Sequence, residues 1–277
     1  MTRRDVVFGP RLVGTPTGRL QAAVLVKPSP NIENATPLAG EPGSVYGRAL
    51  EQHAILCSTL EYFGVQTTAI APRGPDPYEQ CAADAAVAFE DGAVMMRLSA
   101  LSRRGEVDRM EAEFAHIDVP LAGHITAPGF LGGNDVVLAG ETAFVGVGSR
   151  GNELGRGGFA KIASAHGYRV VEVKLADGVP ALRTVASAVA SDTIVLAAEK
   201  VDTAAFDGFR IIAVDAAEAQ AAGVLALGER HVLAEIRYRT ALATMRRAGI
   251  TVEAIDLYEF TKLGVTPSML TLVLRRE

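Results

Sequence analysis

One order of local signals, strand, strand, helix, strand, recurs down this chain, and that recurrence limits the folds open to it more than any other feature. The opening version is partial: an apolar run at 21–27, stopped by Pro28 and Pro30, a turn-rich loop at 31–44, a helix at 45–64 and a strand at 65–71. A second unit follows, with strands at 84–89 and 93–98 turning at Asp91-Gly92, a helix at 106–115 and a closing strand at 121–126. Strands at 135–138 and 142–147, a helix at 159–166 and a strand at 168–173 make the third. The fourth has strands at 182–189, 193–198 and 210–214, and its helix looks short. The fifth has strands at 224–227 and 232–235, a helix at 238–248, a strand at 252–256 and the terminal strand.

No such unit can bury its sheet face alone. Five arranged about a pseudo-fivefold axis share one core and enclose a central channel, which predicts a five-bladed α/β propeller of ββαβ units. The units meet without a Pro/Ser linker, so residues 1–277 are expected to form a single domain. The 31–44 loop is long enough to be a lid.

Composition narrows the function. Aliphatic residues must build the core, because aromatics are only 6% of the chain. The net charge of -5 and scattered Arg pairs offer no stripe to a phosphate backbone, so nucleic acid is not an expected partner. Cys57 and Cys81 are too few for a disulfide framework or a Cys-based metal site, which points to a reducing, cytoplasmic setting without metal or cofactor. Cys57 and His53 fall on the apolar face of the first helix and read as packing residues. Neither a leader segment nor a run of roughly 18 apolar residues is written in the chain, so a membrane is not expected either. Apolar helices and low charge suggest a homo-oligomer.

Several stretches in fixed order resemble the dimethylarginine dimethylaminohydrolases of the pentein superfamily of guanidine-modifying enzymes. They are LVKPSPNI from Leu25, Glu51-Gln52-His53, LSRRGE from Leu101, APGFLGGNDV from Ala127, FVGVGSRGN from Phe144, AAGVLALG from Ala221, and Tyr258-Glu259-Phe260-Thr261-Lys262. The resemblance covers nearly the whole chain and implies the pentein propeller. It also implies a catalytic set: a Cys thiolate in the last turn, a His as general acid and base, and carboxylates that clamp a cationic guanidinium.

That set is broken here. The nucleophile position falls on Ser268, the His position near Ala181, the catalytic carboxylate on Gly132, and two further acidic positions on Ala83 and Tyr78. Asp84, Arg103 and Arg150 match the family's substrate-contacting positions. A free Ser is far less nucleophilic than a thiolate and needs an adjacent base. A guanidinium without paired carboxylates costs several kcal/mol to desolvate. The residues therefore predict a hydrolase that uses water to displace a substituent from an sp2 carbon flanked by nitrogens, in a planar neutral or anionic substrate such as an azole or amidine. Denitration of a nitroimidazole, an outlying chemistry of the superfamily, is one example.

Candidate catalytic residues are Asp84 as first choice of base, then Asp135, His124 and Ser268. Tyr78, Arg103, Gly132, Arg150 and Ala181 are candidate substrate contacts. Ser268 reads as pocket wall or water-positioning hydroxyl. Three alternatives stand beside this reading: a catalytically silent ligand binder, an arginine-type hydrolase with an unusual site, and acyl or amide hydrolysis through Ser268.

Overall fold

The structure is a computed structural model that describes residues 12–277. Arg3, Arg4, Asp5 and Pro10, on which the expectation of no leader rests, lie outside the described residues. Among the described residues, fifteen strands form five three-stranded sheets. In chain order they are β1 (Leu20–Val26), β2 (Gln66–Ile70), β3 (Ala86–Ala88), β4 (Ala93–Met95), β5 (Leu121–His124), β6 (Val136–Ala139), β7 (Thr142–Val147), β8 (Arg169–Lys174), β9 (Ala186–Ala190), β10 (Thr193–Ala197), β11 (Arg210–Val214), β12 (Leu225–Gly228), β13 (His231–Glu235), β14 (Thr251–Ile255) and β15 (Thr271–Arg276).

Four sheets follow the chain: β3-β4-β5, β6-β7-β8, β9-β10-β11 and β12-β13-β14. Each has an antiparallel hairpin followed by a parallel strand reached by a crossover. The fifth sheet is β15-β1-β2, with β15 antiparallel and β2 parallel to β1. The terminal strand therefore completes the first unit, not the last as its place in the sequence suggests. Among the described residues no strand precedes β1, and β15 takes the inner place of that blade and closes the ring. This is the pentein arrangement the motifs imply.

Burial grades from the axis outward. β9 and β10 are buried at every position, whereas β2 has only exposed and half-buried residues. The crossovers carry helices α1 (Tyr46–Tyr62), α2 (Arg104–His116) and α3 (Glu153–Ala165). α3 contains the stretch from Phe159 placed in it from the sequence and extends six residues ahead of it, through three glycines that hide its first turns. Asn152 caps it, accepting from Gly155 N at 2.8 Å. A side chain at Gly155 would meet Phe130 O at 2.1 Å. The fourth crossover, expected to be a short helix, has only 3-10 turns at Ala198–Lys200 and Thr203–Phe206.

A second departure shapes the site. Residues 182–185, expected as strand, form one helical turn, α4 (Leu182–Val185), ahead of β9. The last crossover carries α5 (Arg239–Arg247), followed by α6 (Tyr258–Thr261) and α7 (Pro267–Leu270), the turn that feeds β15. Five such turns now precede the five inner strands: Ala82–Asp84, Gly133–Asp135, α4, the end of Ala216–Ala222, and α7. They pack side by side, α7 on Ala82–Asp84, that turn on Gly133–Asp135, and both Gly133–Asp135 and Ala216–Ala222 on α4. Ser268 N closes the last step by donating to Gly223 O at 3.3 Å. This ring caps one end of the channel.

Candidate active site

Rigid inner strands hold the ring, so side chains on it are fixed in direction. Asp84 is fully buried there. Its Oδ2 accepts from Arg103 Nη1 at 2.6 Å and from Arg150 Nη2, and its Oδ1 accepts from Asn134 N at 3.2 Å. Arg103 turns its other edge to Glu106, with Nε and Nη2 donating at 2.9 and 2.8 Å to the two carboxylate oxygens, and Nη2 also reaches Tyr78 O at 3.1 Å. Two carboxylates and two guanidiniums thus form one buried network.

Burial would raise the Asp84 pKa, but Arg150 and Arg103 outweigh it and hold the carboxyl well below the usual range. Asp84 is ionised at any working pH and both of its oxygens are occupied. That corrects its reading as the base: proximity to two cations leaves it too weak a proton acceptor.

Asp135 is equally buried and differs in every other respect. Its Oδ1 accepts from Leu182 N at 3.0 Å, while Oδ2 has no hydrogen-bond partner and lies 3.7 Å from Arg150 Nε. Burial dominates here and pushes the carboxyl up to about 7, against the pull of Arg150. A buried carboxyl poised near neutrality with a free oxygen has the properties of a proton carrier.

Gly132 has a physical explanation. A Cβ there would sit 2.7 Å from Asp84 Oδ1 and 3.3 Å from Arg150 Nη2. The Arg–Asp network occupies the volume that a larger residue would need, so Gly132 is the space for the network. The neighbouring Asn134 is fully buried, with both amide atoms unpartnered.

Ser268 is on the ring but lacks an activator. Its Oγ lies 3.3 Å from Thr266 Oγ1 and 3.4 Å from Arg183 O, neither of which can take a proton at neutral pH. No histidine joins it. His124, a candidate base, is 45% exposed on the outer strand β5 and pairs with Glu111 Oε2 at 3.0 Å. Its place at a blade edge points it to solvent, which corrects the expectation. His53 is buried on α1 near Cys57, and burial lowers its pKa to about 4. His166 and His231 pair with Asp91 and Glu253. Ala181 is also corrected as a substrate contact: it is completely buried in a core cluster with Ile32, Leu257 and Phe260.

Tyr78 contributes through its carbonyl to Arg103, and its hydroxyl donates to Thr36 O at 3.3 Å. Thr36 belongs to the 31–44 loop, which is pinned across the top of the fold. Ser44 Oγ reaches Glu259 O at 2.7 Å, Lys262 Nζ reaches Gly43 O at 2.8 Å, and Tyr258 hydroxyl reaches Glu41 Oε2 at 2.6 Å. The Tyr258–Lys262 motif is therefore a clamp for that loop. Burial pushes the Cys81 thiol up to about 12, so it stays an inert apolar filler.

Sequence reasoning missed Arg183 as a site residue. It lies on α4, donating from Nε to Val136 O at 2.8 Å and from Nη1 to Ser268 O at 3.1 Å. The available signal was a lone arginine in the apolar run PALRTVAS. Glu106 was the other omission. Among the described residues no group of three His, Cys, Asp or Glu side chains is placed to hold a metal, and no helix is long and apolar enough to cross a membrane.

No family model matches the chain. Comparison with curated proteins finds the N(G),N(G)-dimethylarginine dimethylaminohydrolase of Pseudomonas aeruginosa, 27% identical over 227 residues, 82% of this chain and 89% of that one. The enzyme of the same description from Streptomyces coelicolor is 32% identical over 152 residues, 54% of this chain and 58% of that one. Among solved structures, the Pseudomonas aeruginosa enzyme in complex with citrulline superposes with a TM-score of 0.84 at 23% identity, over 92% of this chain and 99% of that one. This chain has the pentein fold. The fold also matches the substrate-bound N-terminal domain of ArgZ, described as an arginine dihydrolase from cyanobacteria, with a TM-score of 0.81 at 19% identity over 92% and 98% of the two chains. Against these relatives this chain keeps the scaffold.

Proposed function

We propose that this chain is a hydrolase acting at an sp2 carbon flanked by nitrogens, that water is its nucleophile, and that Asp135 is its base. The observation that carries the reading is the pair of carboxylates: Asp84 is held ionised and saturated by two arginines, whereas Asp135 has a free Oδ2 and a carboxyl near 7. In the proposed step Asp135 Oδ2 takes a proton from water as the oxygen bonds to the substrate carbon. The same proton then passes to the leaving group as its bond to carbon breaks. Arg150, 3.7 Å from Asp135 through Nε, stabilises negative charge that develops between the two.

The substrate class follows from Asp84. Its charge is already shared by two internal guanidiniums, so nothing remains to desolvate a third, and a neutral or anionic amidine or azole fits better. A nitroimidazole, losing nitrite, is within that class. One observation favours a second reading. The Arg150 side chain is 27% exposed while Asp84 is fully buried, so an outward turn of Arg150 frees Asp84 for an arginine-type guanidinium, the substrate class named for the relatives.

Purified protein assayed against azoles, amidines and guanidines, including arginine and dimethylarginine, separates the readings. Expected is turnover of a neutral or anionic compound, kcat/KM rising through pH 7, a loss of about 10²–10⁴-fold in Asp135→Asn, and a change of only a few-fold in Ser268→Ala. Citrulline formation or a covalent adduct on Ser268 would overturn the water mechanism. Binding without product would make the protein a ligand binder.

A further inference from the structure

Below the ring, the channel holds two more guanidiniums, Arg276 buried and Arg183 half-buried, and among the described residues neither has a carboxylate within ion-pairing distance. The cavity of about 90 Å³ is lined by Arg183 and Ser268 at the ring end and by Arg276 toward the far end of β15, with Ser187 between. Small side chains on the inner strands, Ala86 and Ala188 among them, leave the space open. We propose that this cavity is a binding site for a small monoanion, from halide to acetate in size, held between Arg183 and Arg276.

The arginines carry the argument. Arg276 is 4% exposed and donates from Nη1 to Gly18 O at 2.8 Å and from Nη2 to Ala226 O at 2.7 Å. Arg183 donates to Val136 O and Ser268 O. All four acceptors are neutral carbonyls, and each guanidinium has further N–H groups to offer. Among the described residues neither arginine has a carboxylate within ion-pairing distance. The nearest charges that act on them do not cancel theirs. Asp84 and Asp135 face Arg183 at longer range, but Asp84 is spent on Arg103 and Arg150, and Asp135, raised to about 7, is only partly ionised near neutrality. Glu229 acts on Arg276 from a position where its oxygens already accept from Thr17 Oγ1 and Ser191 N. Burial, and for Arg276 also the repulsion of Arg183, pulls the two guanidiniums down to about 10 and about 9.

An uncompensated guanidinium inside a protein is costly, and two facing one cavity are costlier. An anion between them removes that cost, as water does only in part. Ser187 supplies a third donor: it is 5% exposed, lines the cavity, and its Oγ has no partner. Space for one water is about 30 Å³, so the cavity admits a chloride with a water, or a formate or acetate. It is too small for a phosphorylated metabolite.

The test uses the full chain in sodium gluconate, chloride, bromide, formate and acetate at equal ionic strength. A small anion should raise the melting temperature in a saturable way that gluconate, too large to enter, does not reproduce. Whether halides or carboxylates act at lower concentration identifies the source. Bromide-soaked crystals should show an anomalous peak between Arg183 and Arg276. Ser187→Ala, a mild change, should weaken the half-saturating concentration roughly tenfold, and Arg276→Met, if it folds, should abolish the response. Equal melting in all the salts, or a cavity filled by water alone in bromide, would overturn the proposal.

Discussion

Asp84 and Asp135 sit on adjacent turns of the same ring, each just ahead of an inner strand and each out of reach of solvent, yet they are opposite electrostatic objects. Two guanidiniums meet one oxygen of Asp84, and attraction exceeds desolvation. Asp135 has one guanidinium at 3.7 Å and a backbone N–H, and desolvation exceeds attraction. Depth of burial is therefore no guide to the role of a carboxylate. The count of charges within contact decides whether it is a structural anion or a proton carrier.

Removing the structural anion should have the largest effect. Asp84→Ala leaves Arg150 with only the 3.7 Å contact to Asp135 and Arg103 with Glu106 and the 3.8 Å contact to Asp76, and should lower unfolding free energy by about 3–5 kcal/mol in denaturant titrations at pH 7. The folded Asp84 carboxyl is depressed, so the stability it contributes is present above the unfolded value near 4 and is lost as pH falls toward its folded value. The gap between wild type and Asp84→Ala should accordingly narrow in acid. A gap that stays constant with pH would break the comparison.

Crowding the network without deleting it should cost less. Gly132→Ala places a methyl 2.7 Å from Asp84 Oδ1, which must shift the carboxylate or Arg150, and should destabilise by about 1–3 kcal/mol. Unchanged melting would mean the network is looser than its distances.

The smallest effect on stability, and the one of opposite sign with pH, belongs to Asp135→Asn. The Asp135 carboxyl is raised from 3.8 to about 7, so wild type gains most from it below pH 4 and loses that gain as pH rises to about 7. Stability measured across that range should fall in wild type relative to Asp135→Asn and run parallel above it. Parallel curves throughout would remove the case for Asp135 as a group that titrates near neutrality.

Much of the fold was legible in the chain. Apolar alternation with turn residues at Asp91-Gly92 and Gly140-Glu141 marks hairpins from local chemistry alone. The pairing of β15 with β1 was not, because it joins segments some 250 residues apart and no local period encodes a partner. α4 was misread as strand because Leu182, Val185 and Val189 suit either geometry. The candidate site was legible as a set of residue types, Asp84, Arg103, Arg150, Gly132 and Ser268. Their relations were not: Ala181 looked like lining and is core, His124 looked available and is tied to Glu111.

The sequence by itself determined the repeating unit, the aliphatic core and the residue types offered to the site, since these are properties of residue identity and short-range order. Only the tertiary structure decided that Arg103 and Arg150, 19 and 66 residues from Asp84, converge on one of its oxygens, that Asp135 keeps an oxygen free, and that Arg183 and Arg276 face a shared cavity. The reason is that protonation and charge balance are set by distance and desolvation in three dimensions, and the chain order carries neither.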